Sequence, residues 1–541
     1  MAAGHGVALK RGAEDAVPPP RPRRPWGPSS PSQRWDAVVI GAGIGGLAAA
    51  GILAQVGQRV LVLEQHKVPG GLMQSFRRGP WAWDVGLHVT GEMGKAGLGG
   101  RLLSRLAGRP LEWTRVDGAY DLVLFEDGDR VELPGGLGRL RASLLRSFPS
   151  EREGIDRYFR LSRQAAAAMR RIHLARPISS GRRGAGLGGD AERLALATTD
   201  EVLRSVTGNP RLRCALSVQW RFYGSPPRES AFGVHAMLQR HFRGGGFYPQ
   251  GGAMSVPRAL AAALAEAGGW TRTCADVESI VVDRSAVRGV RLASGEEVRA
   301  NVVISAAGAL NTIRLLPAQE QEQEWARSIR GLRPSLAHVA LNVGFRGDIA
   351  AAGASRANLW LVGRDPEQEA WSPDQTPDAA YASFPSLKDG EDRPGDGAHT
   401  AEVLSLTYWD AFQRWAGTRW RRRGAEYEDA KRALADRLLE VLLRRLPRLR
   451  PLVAHLDLST PLSMTHFVRA VNGATYGLAS TPERYRNPWL RPRTPVRGLY
   501  LAGSDVALVG LMGALAGGVG AALSIDPTRV MPWLREAVRG A

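Results

Sequence analysis

Three glycines at fixed spacing follow an apolar run near the start of the chain, and they could hold a dinucleotide. Gly41, Gly43 and Gly46 fit the pattern GxGxxG within "VVIGAGIGGLAAA". In such a turn the first glycine allows a tight bend, the second lets backbone approach a pyrophosphate, and the third lets a helix pack closely on a strand. The phosphates then meet free N–H groups at the helix N-terminus, which stabilise negative charge. The pattern therefore predicts a dinucleotide site.

A carboxylate follows this turn at the position where the ribose of a dinucleotide is bound. Glu64 closes the next apolar run, "RVLVLE". Its side chain can accept both hydrogens of an adenosine ribose diol, and it would repel a 2′-phosphate. The alternative is an ordinary carboxylate at the end of a strand.

Two further glycine-containing stretches distinguish between NAD, which would bind and dissociate as a co-substrate, and FAD, which would stay bound as a cofactor. Gly70 and Gly71 form a second close-approach turn in "QHKVPGGLMQSF". Near the C-terminus, "RGLYLAGSDVALVGLMGAL" supplies a strand, Asp505 and a glycine-rich helix that contains Gly513. FAD needs such a second site, because its ribityl chain and isoalloxazine reach well past the first turn. Asp505 can bind the ribityl hydroxyls or, through water, the pyrophosphate, and the helix N-terminus can face the flavin. We therefore predict FAD as the resident cofactor.

The elements around these motifs predict an α/β fold. "WDAVVIGAG", "IGGLAAAGILAQVG" and "RVLVLEQ" are typical of a strand, a helix and a strand in a βαβ unit. We expect an FAD-binding, Rossmann-like domain of the glutathione-reductase type, made of discontinuous segments, with an inserted α+β substrate domain. The predicted FAD-binding segments are residues 35–110, 231–316 and 456–541, and the substrate segments are 111–230 and 317–455.

Other stretches give local expectations. Residues 1–34 are rich in Pro, Arg and Ser, which predicts a disordered basic tail without a secretory signal. Helices are predicted near residues 151–174 and 426–446, and a loop over 363–400. Val506 to Ile525 carries no charge and is long enough for a membrane span, but its glycines favour a buried helix packed against a cofactor.

Composition excludes several classes of function. The net charge of +20 comes mostly from arginine and favours polyanions or anionic lipid as neighbours. No helix-turn-helix, zinc-finger or RNA-binding signature accompanies the charge, so no nucleic-acid partner is predicted. The two cysteines form no CxxC pair and the histidines are scattered, so neither a disulfide framework nor a metal site is predicted.

Several longer segments resemble the FAD-dependent polyene oxidoreductases, a group of phytoene desaturases, carotenoid cis–trans isomerases and retinol saturases. The resemblance runs from about Trp35 to Ile525. "SFPSLKDGEDRPG" and "GATYGLASTPERY" favour the saturase branch. The other segments that carry it are "WDVGLHVTGEMG", "RFYGSPPRESAFGVHAML", "GGGFYPQGGA" and "VISAAGALNTIRLLP". Eukaryotic members of this family carry an N-terminal membrane-targeting segment, whereas this chain has a polar tail.

The resemblance implies roles for further residues. It implies that the glycines above, Glu64 and Asp505 hold FAD. It also implies that Val277 binds the adenine through its backbone, or else is an ordinary strand residue. His88 is expected near the flavin edge, where it donates or relays a proton, or else is a core histidine. Tyr248 and Tyr476 are expected as proton donors or substrate-lining rings, or else as packing tyrosines.

The resemblance also implies an activity and a location. The expected activity is saturation of one carbon–carbon double bond of a polyene lipid, with NAD or NADP as the candidate electron donor. The alternatives are isomerisation, desaturation, or lipid binding by a non-catalytic flavoprotein. Because the substrate comes from a bilayer, we expect peripheral attachment to a membrane on its cytoplasmic side. "TRWRRRG" (Thr418 to Gly424) is the candidate contact, or else a solvated basic turn.

Overall fold

The computed structural model describes residues 25–31, 33–94, 96–175, 189–368, 370–372, 375, 377–389 and 397–539. The strands are β1 Ala37–Ile40, β2 Val60–Leu63, β3 Ser75–Arg78, β4 Trp81–Asp84, β5 Trp113–Val116, β6 Ala119–Leu124, β7 Arg130–Pro134, β8 Gly246–Pro249, β9 Trp270–Arg272, β10 Val277–Asp283, β11 Ala286–Leu292, β12 Glu297–Arg299, β13 Val303–Ser305, β14 Ala337–Arg346, β15 Asn358–Leu361, β16 Ala380–Ser383, β17 Ala398–Thr407, β18 Val453–Ser459 and β19 Leu499–Leu501. The α-helices are α1 Ile44–Gln55, α2 Leu98–Leu106, α3 Leu137–Ser147, α4 Arg152–Ala175, α5 Asp190–Ala195, α6 Thr199–Val206, α7 Pro210–Ser217, α8 Phe232–His241, α9 Ser255–Glu266, α10 Ala309–Leu315, α11 Ala318–Gln321, α12 Glu324–Arg330, α13 Pro385–Lys388, α14 Ala425–Arg445, α15 Pro461–Val468, α16 Pro482–Arg486, α17 Gly510–Ile525 and α18 Pro527–Arg539.

A parallel sheet carries the glycine turn. Its strand order is β19-β13-β1-β2-β9, and every neighbouring pair in it is parallel. β1 and β2 are buried along their whole length, which explains their unbroken apolar sequences. Because β1 is central, the turn that follows it opens at the carboxyl edge of the sheet, where ligands bind in this class of fold.

The apolar helix α1 is buried from Ile44 to Ala54, and α17 packs against it. Glycines allow this close crossing, since a Cβ on Gly518 would lie 2.4 Å from the carbonyl oxygen of Gly45. The uncharged segment near the C-terminus therefore forms a helix within the core. Among the helices of the described ranges, none is both long and apolar enough to cross a bilayer.

A second sheet has seven strands in the order β18-β14-β17-β16-β15-β6-β7. Its pairs are antiparallel except β15 with β6, and α14 packs on its core. In the chain, its strands lie between β2 and β9 and again between β13 and β19. This mixed unit is therefore inserted into the parallel one, and the predicted fold class is confirmed.

Several local predictions differ from the structure. The predicted loop over 363–400 is wrong at Ala380–Ser383 and Pro385–Lys388, which form β16 and α13. β16 is fully buried between β15 and β17, and a strand so short is easily hidden by neighbouring Asp, Pro and Gly.

The predicted tail is ordered at its end. Trp26 is buried in the core, and Gly27 pairs with Arg272 at the edge of the parallel sheet, because an aromatic ring gains free energy by burial even in a Pro-rich context. The tail prediction for residues 1–24 falls outside the described residues. The domain boundaries stay a prediction, although α8, assigned to an FAD-binding segment, packs against α4.

Candidate active site

The glycine turn joins β1 to α1, and each of its three glycines meets a different structural requirement. Gly41 adopts a φ of +94°, which favours glycine. A Cβ on Gly43, the N-cap of α1, would meet no atom within 4 Å, so the space in front of the helix N-terminus is open. A Cβ on Gly46 would lie 2.0 Å from the carbonyl oxygen of Gly41, so only glycine lets α1 approach this closely. The turn thus presents bare backbone N–H groups to an open space, as a pyrophosphate requires.

A cavity of about 660 Å³ lies in front of this turn. It extends from the end of β2 to the start of α17 and therefore joins the two glycine-rich regions that the sequence singled out. An extended dinucleotide needs such a continuous site. The predicted cofactor residues in its wall are Gly41, Gly43, Glu64, Gly70, Gly71, Val277 and Asp505.

Glu64 lies at the end of β2 with 7% of its surface exposed. Its Oε2 accepts the N–H of Ala42 at 2.9 Å, and its Oε1 accepts the N–H of His66 at 2.8 Å. Burial raises the pKa of Glu64, while these two N–H donors partly offset that effect. Each oxygen keeps a lone pair for a ribose hydroxyl. Val277 lines the same cavity from β10.

Replacing Glu64 by alanine is expected to weaken FAD binding by about ten- to a hundredfold. Loss of charge-assisted hydrogen bonds to a ribose diol costs roughly 1.5–3 kcal/mol. The measurement is the FAD content after dialysis and the dissociation constant from flavin fluorescence. Glu278→Ala is the matched control, since Glu278 is exposed on the neighbouring strand β10. Equal FAD retention in both variants would refute the assignment of Glu64.

Asp505 connects three distant segments at the other end of the cavity. Its Oδ2 accepts the N–H of Ala309 at 2.8 Å, and its Oδ1 accepts the N–H of Leu478 at 3.0 Å. It is 5% exposed and lines the cavity, so it fixes the wall and presents its remaining lone pairs to a ligand.

Gly513, which was predicted to bind the cofactor, does not line the cavity, whereas Gly510, Leu511 and Ala514 of α17 do. A Cβ on Gly513 would lie 1.4 Å from the carbonyl oxygen of Leu508, so this glycine allows the start of α17 to pack on the preceding turn. Gly46 is likewise a packing glycine and does not line the cavity.

A second, small cavity of about 60 Å³ adjoins the first. Both of them are lined by Leu72, Gly86, Met464, Thr475 and Tyr476. Aromatic rings form much of the wall of the small cavity, with centroids 4.5 Å apart for Trp360 and Tyr381 and 4.8 Å apart for Phe222 and Trp360.

Two of the three predicted catalytic residues meet at this small cavity. His88 and Tyr476 both line it, and burial raises the pKa of Tyr476. The ring of His88 packs against Tyr381 at 5.6 Å between centroids. The structure therefore brings a histidine and a tyrosine to an aromatic chamber beside the cofactor cavity.

Tyr248 is placed elsewhere. It is fully buried on β8, lines neither cavity, and donates its hydroxyl to the carboxylate of Asp84. Ser75 also donates to Asp84, at 2.6 Å. Burial, together with the nearby Glu402, raises the pKa of Asp84 to about 6. Tyr248 therefore lies outside both cavities, hydrogen-bonded to Asp84, and its functional role stays a prediction.

Two buried charged residues behind His88 escaped the sequence analysis. Glu402 on β17 is 1% exposed and its Oε2 lies 2.7 Å from His88 Nδ1. Lys388, at the end of α13, is 0% exposed, and burial lowers its pKa to about 8 against the opposing effect of nearby carboxylates. The motif "SFPSLKD" contains Lys388 and was the available signal, but nothing local in the sequence indicated that this lysine is buried.

No group of three or more side chains suited to a metal ion occurs in the part of the chain that the structure describes. Of the two cysteines, Cys214 is buried and Cys274 is exposed.

Comparison with known proteins agrees with this site. The family model for flavin containing amine oxidoreductases matches residues 44–525. The chain is 31% identical to an all-trans-retinol 13,14-reductase of Rattus norvegicus, over 93% of this chain and 90% of that protein. It is 26% identical to a chloroplastic prolycopene isomerase of Daucus carota, over 82% of this chain and 72% of that protein.

A solved oxidoreductase structure from Methanosarcina mazei shares the fold. Its TM-score is 0.60 at 17% identity, and the match covers 89% of this chain and 98% of that one. The glycine turn, the buried acceptors at both ends of the cavity and the length of the family match agree with one another. The chain belongs to the flavin containing amine oxidoreductase family and is an FAD-dependent oxidoreductase of its retinoid and carotenoid branch.

Proposed function

We propose that the protein saturates one carbon–carbon double bond of a retinoid-like or carotenoid-like polyene lipid. The observation that carries the proposal is the aromatic chamber beside the cofactor cavity, with His88 in its wall and a carboxylate on His88 Nδ1. Saturation needs an apolar place for the alkene and a proton donor next to it. The similarity to all-trans-retinol 13,14-reductases supports the same assignment.

The chain contributes orientation, exclusion of water and a proton. FAD, when bound and reduced, supplies a hydride to one carbon of the alkene. His88 donates a proton to the neighbouring carbon, while Tyr381 and Trp360 line the small cavity and present apolar ring surface to the conjugated chain. Tyr476, in the wall shared by the two cavities, lines the substrate path.

Substrate entry requires side chains to move. A volume of about 60 Å³ holds only part of a polyene, so side chains that line both cavities, such as Leu72 and Met464, have to shift to admit it. Methionine suits this task because its unbranched side chain adapts to irregular shapes.

The test is anaerobic titration of the reduced holoenzyme with all-trans-retinol and a panel of carotenoids, read by flavin absorbance. We expect one flavin to be reoxidised for each alkene consumed by a polyene that fits. A saturated isoprenoid alcohol of similar length is the control and should leave the flavin reduced. Reduced flavin that persists with every polyene would refute the proposal.

Isomerisation is the second candidate, because the chain also resembles a prolycopene isomerase over most of its length. An isomerase rearranges the polyene without net transfer of electrons. It would convert cis-configured carotenoids with no change in mass and no net reoxidation of the flavin, so the same titration distinguishes the two.

We also propose peripheral attachment to an anionic membrane through the 418–424 loop. Trp420 is 40% exposed and stacks on His466, with centroids 5.1 Å apart. Trp420 also contacts Phe467, which lines the cofactor cavity. Arg419, Arg421 and Arg422 are exposed and make no ion pair with any residue in the described ranges. An exposed tryptophan ringed by arginines suits a lipid headgroup region.

The protein is expected to sediment with anionic liposomes at low salt and to detach as ionic strength rises, because screening shortens the reach of charges to about 8 Å at physiological salt. Trp420→Ala together with Arg421→Ala should weaken sedimentation. Arg529→Ala, on helix α18 and outside the 418–424 loop, is the matched control. Equal binding of all variants to neutral and anionic vesicles would refute this attachment.

We propose a reduced nicotinamide dinucleotide, NAD or NADP, as the electron donor. Each saturation consumes two electrons, and nicotinamides deliver them as a hydride to flavins. Anaerobic bleaching of the flavin by one of the two reduced nucleotides is the expected result. Bleaching by neither would exclude both donors.

A further inference from the structure

The carboxylate behind His88 makes two contacts that fix it in place. Oε2 of Glu402 lies 2.7 Å from His88 Nδ1, and Oε1 accepts the N–H of Asp84 at 2.8 Å. β17 and β4 thereby hold one carboxylate between them, and its geometry leaves Nε2 as the second nitrogen of a histidine that lines the small cavity.

Lys388 holds the same histidine through a hydrogen bond to its backbone. Its ammonium donates to the carbonyl oxygen of His88 at 3.0 Å and to Ser383 Oγ at 2.7 Å. It also donates to Oδ1 of Asn358, whose amide in turn donates to Asp121 at 2.8 Å. A buried ammonium with three acceptors holds its neighbours firmly, because each lost contact would leave a buried charge unsatisfied.

The carboxylate decides which ring nitrogen of His88 carries the hydrogen of their contact. A carboxylate oxygen only accepts, so Nδ1, which lies 2.7 Å from Oε2 of Glu402, is the donor in this contact. Nε2 is then the nitrogen that remains for the small cavity.

We propose that Glu402 and Lys388 are positioning residues that hold His88 with Nδ1–H bound to Glu402 and with Nε2 presented to the small cavity. The inference rests on the proposed saturation, for which His88 supplies the proton. In that step the Nε2–H bond breaks and a C–H bond forms at the alkene carbon that did not receive the hydride. The ring becomes neutral and keeps Nδ1–H on Glu402, and water later restores the proton on Nε2.

The test uses Glu402→Gln in the holoenzyme. Glutamine keeps an oxygen for the N–H of Asp84 but places an NH₂ group, which can only donate, against His88 Nδ1. We expect the neutral ring of His88 to change from the Nδ1–H tautomer in the wild type to the Nε2–H tautomer in the variant. The ¹⁵N chemical shifts of His88, assigned with His88→Gln, distinguish the two forms.

The kinetic expectation for Glu402→Gln is a rate of alkene reduction about ten- to a hundredfold lower, with unchanged FAD content. Glu440→Gln, which removes one partner of an exposed ion pair with Arg450, is the matched control and should match the wild type in both readouts. Lys388→Met removes the donor to the His88 carbonyl and should lower the rate while the Nδ1–H tautomer persists.

If His88 of the wild-type protein is found as the Nε2–H tautomer, the proposal is wrong. This result needs no variant of Glu402 or Lys388. Unchanged ¹⁵N shifts in Glu402→Gln would overturn it as well. The tautomer is measured without substrate, so a wild type that reduces no polyene would refute the proposed saturation and leave the positioning result standing.

Discussion

His88→Gln is expected to lower the rate of alkene reduction by about a hundred- to ten-thousandfold, the usual contribution of a positioned general acid. His88 lines the small cavity and contacts Glu402, so glutamine can keep a polar contact but cannot transfer the proton. The measurement is the rate constant of flavin reoxidation when reduced enzyme is mixed anaerobically with a polyene. FAD content should remain that of the wild type, because His88 does not line the cofactor cavity.

His455→Gln is the matched control for this prediction. His455 is also partly buried and stacks on Trp81, with centroids 5.3 Å apart, but it lines neither cavity. Its replacement should leave the rate within about twofold. A His88→Gln enzyme that is as fast as this control would show that the proton comes from another group, and Tyr476 would be the next to test.

Gly43→Ala and Gly46→Ala should both release FAD, but only Gly46→Ala should destabilise the fold. Gly43 has φ −70° and ψ 173°, which alanine adopts without strain, and its Cβ would meet no atom within 4 Å. Gly43→Ala should therefore fold like the wild type. Its methyl group would occupy the space in front of the helix N-terminus, and we expect FAD affinity to fall at least about a hundredfold.

Gly46→Ala should damage the fold itself. Its Cβ would lie 2.0 Å from the Gly41 carbonyl oxygen, and a backbone atom there cannot move without displacing α1 from β1. Overpacking of this kind typically costs about 1–3 kcal/mol, and contact with backbone places the cost at the upper end. The readouts are the Tm of each apoprotein and its FAD dissociation constant. Equal Tm values for the two variants would contradict the packing assigned to this turn.

Local sequence was sufficient where the residues of the site lie close together in the chain. The glycine turn, Glu64 and the second turn at Gly70 and Gly71 are close in the chain and lie around one cavity in the structure. Long helices were predicted to within a residue or two, as α14 at Ala425–Arg445 shows. The position of Gly513 was not predictable, because a glycine-rich pattern does not indicate which face of α17 lines the cavity.

The groups behind His88 depend on contacts between distant segments. Lys388 lies 300 residues from His88 and Glu402 lies 314 residues from it. They meet only because β17 passes beside β4 and because the short α13 precedes β17, in a region whose composition resembles a loop. Burial and register decide these contacts, and neither is visible in the local pattern of residues.

The most direct test of the account is the mass of the product that reduced holoenzyme forms anaerobically from all-trans-retinol or a carotenoid. We predict a product two hydrogens heavier than the polyene, formed one for one with oxidised flavin, because one hydride and one proton add across a single double bond. A product of unchanged mass, with the flavin still reduced, would contradict saturation and favour isomerisation. A product lighter by two hydrogens, formed only from the oxidised enzyme, would contradict it in favour of desaturation.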